Sequence, residues 1–147
     1  MKPLEPNFES VATEKLREAG FRITKPRLLV VRALSESNRA LGAYAIHELL
    51  VQQGDRTDVV SVYRTLSVLV ELGLAHHLGI VDGFRACCFN GDHGTVSQHF
   101  ICNKCGNVNE IHPSAGVRSL TDDAAAEIGF ESQETRIEVL GHCAQCK

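Results

Sequence analysis

The chain has 147 residues, room for one domain or two small ones, and 44% of them are hydrophobic, enough for an ordinary core. Only 5% are aromatic and Trp is absent, so a small module that leans on a metal is expected. The net charge of −3 excludes a global pull toward nucleic acid or anionic membrane, and no apolar run approaches membrane-spanning length.

The distribution of charge says more than its sum. Between Lys15 and Arg32 six basic residues face one acid, Glu18; from Asp82 onward nine acids face five bases. An anion-binding front and a different task behind it are the expectation.

In chain order, residues 1–7 read as a loose tail without the apolar core of a signal peptide, which predicts a cytoplasmic protein with reduced thiols. Val11 to Ala19 is a predicted helix, ended by Gly20. Thr24 caps a second helix, with Pro26 in its first turn and Leu28, Leu29, Val31 and Leu34 giving an apolar face. A third spans Ala45 to Gln53. Thr57-Asp58 caps a fourth, Val59 to Leu72, whose apolar stripe is Val59, Val62, Leu66 and Leu69, with Ser61, Arg64 and Thr65 on another side. Two β-type runs follow, Ala75 to Ile80 and Phe84 to Phe89, with Val81-Asp82-Gly83 as the hairpin signal. Helices followed by a hairpin are the order of a winged helix-turn-helix, in which the helix before the hairpin is the recognition helix.

Residues 90–97 are polar and read as a hinge. Beyond them come strands at 98–103 and 107–111, a helix from Ala115 to Ile128 capped by Ser114, and a strand from Thr135 to Leu140. The predicted fold class is therefore α+β: a winged helix-turn-helix over residues 1–89, the hinge, and a small α/β unit over residues 98–147. Three strands and one helix make a thin core, so a second copy is expected to complete it as a homodimer.

Cys102-Asn-Lys-Cys105 and Cys143-Ala-Gln-Cys146 are two Cys-x-x-Cys pairs, together the four thiolates of a tetrahedral structural zinc. A second group lies on the hairpin, hinge and first strands of the back half: His76, His77, Cys87, Cys88, His93, His99 and Glu110. Mixed sulfur, imidazole and carboxylate donors suit zinc, while thiolate argues against magnesium or manganese. Adjacent residues on a strand point to opposite faces, so only one of Cys87 and Cys88, and one of His76 and His77, joins a given site.

Four segments occur in order: Gly20-Phe-Arg-Ile-Thr-Lys-Pro-Arg27, Val60-Ser-Val-Tyr-Arg-Thr-Leu66, His99-Phe-Ile-Cys-Asn-Lys-Cys-Gly-Asn-Val-Asn-Glu110 and Gly141-His-Cys-Ala-Gln-Cys146. In them the sequence resembles the ferric uptake regulator superfamily over about residues 8–146. The resemblance implies a dimeric winged-helix repressor with a structural zinc in its dimerisation domain and a regulatory metal at the hinge. The pattern looks most like the zinc-sensing branch, which implies His76 and Cys87 rather than His77 and Cys88, together with Glu110. His93 matches that branch with one residue of slippage, and His99 stands where other branches place a ligand; either completes the set. An auxiliary site of many members uses a His where this chain has Thr135.

The function this implies is a zinc-responsive repressor that binds palindromic double-stranded operator DNA, with zinc-uptake genes as targets and no membrane or small-molecule substrate. Lys15, Arg17, Arg22 and Arg27 are placed for phosphates or the minor groove, and Ser61, Tyr63 and Arg64 for base edges, with Tyr63 against thymine methyls. The alternatives are an iron-, manganese- or peroxide-responsive regulator of the same superfamily and, more distantly, a zinc hydrolase or deaminase. The deaminase pattern and His-Glu-x-x-His are both absent, since His47-Glu48 continues Leu-Leu-Val and Ile101 precedes the first Cys pair.

Overall fold

Apolar residues recur every three or four positions through the first half of the chain, and each recurrence becomes the buried stripe of a helix. The computed structural model describes residues 7–91 and 94–147. Its elements are α1 (Phe8–Glu18), α2 (Lys25–Ser35), α3 (Ala43–Gln52), α4 (Val59–Glu71), β1 (Ala75–Leu78), β2 (Gly83–Ala86), β3 (Val96–Cys102), β4 (Val108–Glu110), α5 (Ala115–Glu127) and β5 (Thr135–Gly141). Phe8, Ala12 and Leu16 of α1 meet Val30, Val31 and Leu34 of α2, Ile46 and Leu50 of α3, and Val62, Leu66 and Leu69 of α4 in one core closed by Leu74, Ala75 and Ala86.

Side-chain caps fix where two of these helices start. Thr24 Oγ1 accepts from the Arg27 amide at 3.4 Å, with Pro26 in the first turn of α2. Asp58 accepts from the Ser61 amide at 2.7 Å and so starts α4. Thr65, grouped above with the polar side of α4, is instead buried. Its hydroxyl donates to the Ser61 carbonyl at 3.0 Å, which satisfies it inside the core.

The antiparallel pair β1–β2 is the wing, with His76 opposite Arg85 and Leu78 opposite Gly83. The segment before α3 runs beside it: Leu41 and Phe84 exchange both backbone hydrogen bonds at 2.8 Å. A Cβ at Gly83 would lie 2.8 Å from the Ala40 side chain and 3.1 Å from its carbonyl carbon, so this approach requires glycine. The same segment reaches the second sheet, where the Val108 amide donates to the Asn38 carbonyl at 2.9 Å.

That sheet has the order β4-β3-β5, with β3 antiparallel to β4 and parallel to β5. Parallel neighbours need a crossover, and β4 and α5 supply it. The strand β3 begins at Val96, inside the span read as hinge, because Val96 pairs with Thr135. The sheet face carrying His99, Ile101, Val108 and Glu110 is buried, and Leu78 of the wing packs on Ile101 and Val108 there. Helix α5 buries none of its residues, and Leu120 (73% exposed), Ile128 (78%) and Phe130 (62%) stand in solvent. Ser114 sits at its N-cap without making the expected side-chain bond. Together α1–α4 and the wing form a winged helix-turn-helix, followed by a small α/β unit that holds a cysteine cluster. Among the described residues no helix is long and apolar enough to cross a membrane.

Candidate metal centres and nucleic-acid interface

Two tight turns build the cysteine cluster. The first follows β3, where the Cys105 amide points at Cys102 Sγ from 3.5 Å; the second follows β5. Cys102, Cys105, Cys143 and Cys146 each bring a sulfur to within 4.8 Å of the others. Cys105 Sγ and Cys143 Sγ lie 3.7 Å apart, too far for a disulfide. Four sulfurs around one zinc at its usual bond length would stand roughly 3.8 Å apart, so the spacing fits the ion. The backbone amide of Cys105 holds the Cys102 thiol down at about 5, whereas hydrogen bonding with the neighbouring thiols, Cys143 first, pushes Cys146 up to about 12. Four thiols this close cannot all ionise alone, and a dication removes that conflict.

The second cluster spans the wing and the C-terminal sheet. His76 comes from β1, Cys87 from just beyond β2 and Glu110 from the end of β4. All three are buried, with ligating atoms within 4.8 Å of one another. His76 Nε2 lies 2.9 Å from Glu110 Oε1, and Cys87 Sγ lies 3.6 Å from the same oxygen. The other Glu110 oxygen accepts from the Cys88 amide at 2.7 Å. His99, from β3, places Nε2 at 3.8 Å from Glu110 Oε2, and that buried nitrogen has no hydrogen-bond partner. Its ring centroid is 4.6 Å from that of His76. An orphaned buried imidazole nitrogen beside a carboxylate, a thiol and a second imidazole is a donor set that fits zinc.

Protonation follows from burial. Burial alone would raise the Glu110 carboxyl, but the hydrogen bond and charge of His76, with the Cys88 amide, hold it down at about 2. Burial, then the Glu110 carboxylate, pushes the Cys87 thiol up to about 12, against the Gly91 and Phe89 amides aimed at the sulfur from 3.4 Å. Burial, then His76, pushes His99 down to about 4. Without metal, Cys87 is therefore a neutral thiol and His99 a neutral imidazole at pH 7.

The remaining sequence candidates fall in distinct places. His77 faces outward and pairs with Asp82 at 3.0 Å. Cys88 is buried and meets Glu110 through its amide. His93 lies outside the described residues. Arg85, opposite His76, is buried with Nε and Nη1 lacking hydrogen-bond partners; only its place in the wing's alternation could have marked it.

On the helical side Arg17, Arg22, Tyr63 and Arg64 are exposed and Ser61 is half-buried. Lys15 is half-buried, and its ammonium donates to the Asn90 carbonyl at 2.6 Å. Arg27 donates to the Arg22 carbonyl at 2.6 Å and lies over the Phe21 ring. Both cations are thus engaged within the chain. Tyr44, at the start of α3, was not singled out in the sequence. It is 65% exposed and meets Tyr63 edge-on, with ring centroids 6.1 Å apart. Nothing in helical periodicity marks an aromatic on an exposed face, and only the packing of α3 against α4 brings the two rings together.

Residues 18–140 match the ferric uptake regulator family. The chain is 33% identical over 125 residues to the zinc uptake regulation protein of Escherichia coli strain K12, covering 85% of this chain and 72% of that protein. It is 31% identical over 143 residues to the ferric uptake regulation protein of Brucella abortus biovar 1 (strain 9-941), covering 97% and 95%. Among solved structures, a zinc uptake regulator complexed with zinc and DNA superimposes with a TM-score of 0.84 at 29% identity, over 95% of this chain and 92% of that one.

Proposed function

The chain belongs to the ferric uptake regulator family of DNA-binding transcriptional regulators, and from that premise we propose that it is a zinc-responsive repressor. One observation carries the reading: His76 Nε2, Cys87 Sγ and the Glu110 carboxylate converge from the wing and from the C-terminal sheet. An ion held by these groups ties the wing to the sheet, so binding the ion favours one placement of the recognition helix α4. To move a population from 1:99 to 99:1 the ion must prefer that placement by about 5.5 kcal/mol, which is within the range of protein zinc sites. The likeness to a regulator bound to zinc and DNA supports the same arrangement.

In this reading residues 1–89 bind DNA, residues 90–97 join the halves, and residues 98–147 dimerise around the zinc of Cys102, Cys105, Cys143 and Cys146. The unburied apolar side of α5 is the surface a second copy covers. Two-fold symmetry then presents two α4 helices to a palindromic operator. Arg17 and Arg22 contact phosphates; Ser61, Tyr63 and Arg64 read base edges, with Tyr44 beside Tyr63. His99 is the fourth ligand among the described residues. A zinc ion held there would supply positive charge, and Cys87 would release its proton to solvent on becoming a ligand.

The sulfur of Cys87 favours zinc over iron or manganese. Replacing Cys87 with Ser tests this. The variant is expected to keep one zinc per monomer, in the cysteine cluster, to lose the second, and to lose zinc-dependent DNA binding. A preserved zinc response would remove Cys87 from the sensor.

A further inference from the structure

Glu138 lies in the middle of β5, directly across from His99 and on the sheet face turned toward the wing. Its two carboxylate oxygens accept from the backbone amides of Gly79, at 2.9 Å, and Ile80, at 2.8 Å. These amides open the β1–β2 turn, one and two residues beyond Leu78, whose pairing with Gly83 is the last of the ladder. No strand partner competes for them, and an ionised acceptor makes strong bonds to amides.

The strand β1 is therefore held at both ends. His76 meets Glu110 near its start, Glu138 holds the turn after its end, and Leu78 between them packs on Ile101 and Val108. The two attachments stand roughly 10 Å apart along the strand. One point of attachment leaves a wing free to pivot, whereas two fix its direction. We propose that Glu138 is a positioning residue that latches the wing turn to the C-terminal sheet and so holds the DNA-competent placement of the winged helix from the side the metal does not reach. The latch rests on the proposed zinc response for its regulatory meaning. Physically, the latch is made by protein atoms alone, so it favours that placement independently of the ion and reduces the preference the metal must supply.

The test uses full-length Glu138→Gln, nearly isosteric but with one acceptor replaced by a donor, and Glu138→Ala. The first readout is amide hydrogen exchange at Gly79 and Ile80 in zinc-loaded protein without DNA. Exchange is expected to speed up by about tenfold or more at both amides in Glu138→Ala, and at the one left facing the new donor in Glu138→Gln, the loss of a charge-assisted hydrogen bond. The second readout is the free zinc needed for half-maximal binding to a palindromic duplex, selected from a random pool by the zinc-loaded parent. That midpoint is expected to rise by about tenfold with the number of zinc ions per monomer unchanged, since Glu138 is not a ligand. A merely structural role would lower the unfolding temperature and leave the midpoint in place. Unchanged exchange at Gly79 and Ile80 in both variants overturns the latch, as does a midpoint within about twofold of the parent. The exchange readout needs no DNA and no response to zinc, so it decides the latch even if the Cys87→Ser test goes against zinc sensing.

Discussion

Glu110 holds a different partner on each oxygen: His76 and Cys87 at one, the Cys88 amide and the more distant His99 at the other. A carboxylate so placed can stay in position while an ion enters, because the amide bond on its second oxygen orients it. Parity along β1 turns His76 rather than His77 toward Glu110, and just beyond β2 the Cys87 sulfur joins those two groups while Cys88 also meets Glu110 through its amide. Strand parity alone offered only a choice of two, since the face that meets the sheet is a tertiary fact; the family resemblance pointed to His76 and Cys87, the pair found beside Glu110. At the DNA surface the residue-scale prediction concerns Arg64 and Arg17. Arg64→Ala is expected to weaken operator binding by about 1–3 kcal/mol and to relax preference at one base position. Arg17→Ala should weaken all duplexes alike and reduce the salt dependence by about one phosphate contact. Fluorescence anisotropy at fixed and at varied salt separates the two, and equal loss on all sequences for Arg64→Ala would take it off the bases.

Among the elements, the segment 38–41 is the least visible part of the fold, whereas the wing was legible from its hairpin signal. The helices were legible because their apolar residues repeat locally, and the two turns of the cysteine cluster because Cys-x-x-Cys is itself local. Segment 38–41 has no such signal: its bonds to Phe84 and Val108 reach about 43 to 70 residues along the chain, a consequence of tertiary packing. The early start of β3 has the same origin, since Val96 pairs with Thr135. Helix α5 itself was readable in the sequence, but among the described residues nothing buries its apolar side chains. The close passage of Ala40 over Gly83 gives an element-scale prediction. Gly83→Ala forces a Cβ against backbone, and it is expected to lose about 1–3 kcal/mol in chemical denaturation. It should also weaken zinc-dependent DNA binding, because the wing moves with it. Unchanged stability would mean that segment 38–41 can move aside freely.

For the molecule as a whole, the buried His99 and Glu110 between wing and sheet make stability depend on pH when the metal is chelated. The His99 imidazole titrates near 4 when folded, against 6.5 for an ordinary histidine, so the unfolded chain takes up its proton first as pH falls. Stability is therefore complete above about pH 6.5 and declines as pH drops toward 4, by about 2–3 kcal/mol from this group. Glu110 acts in the same direction at lower pH. Its folded carboxyl lies near 2, below the ordinary 4.5, so its contribution is present above the ordinary value and is lost between the two. Denaturant titrations of chelator-treated protein at pH 7.5 and pH 5 are expected to differ accordingly, with His99→Gln flattening the first part of the decline; a flat profile in the parent would place His99 in contact with water.

The most direct test of the account is DNA binding titrated against buffered free zinc, on protein that retains the zinc of its cysteine cluster. Binding is expected to switch on over a narrow range of free zinc as one further ion per monomer is taken up, with Cys87→Ser silent across that range. Binding that is independent of zinc, or that responds only to iron or manganese, would contradict zinc sensing at His76, Cys87 and Glu110.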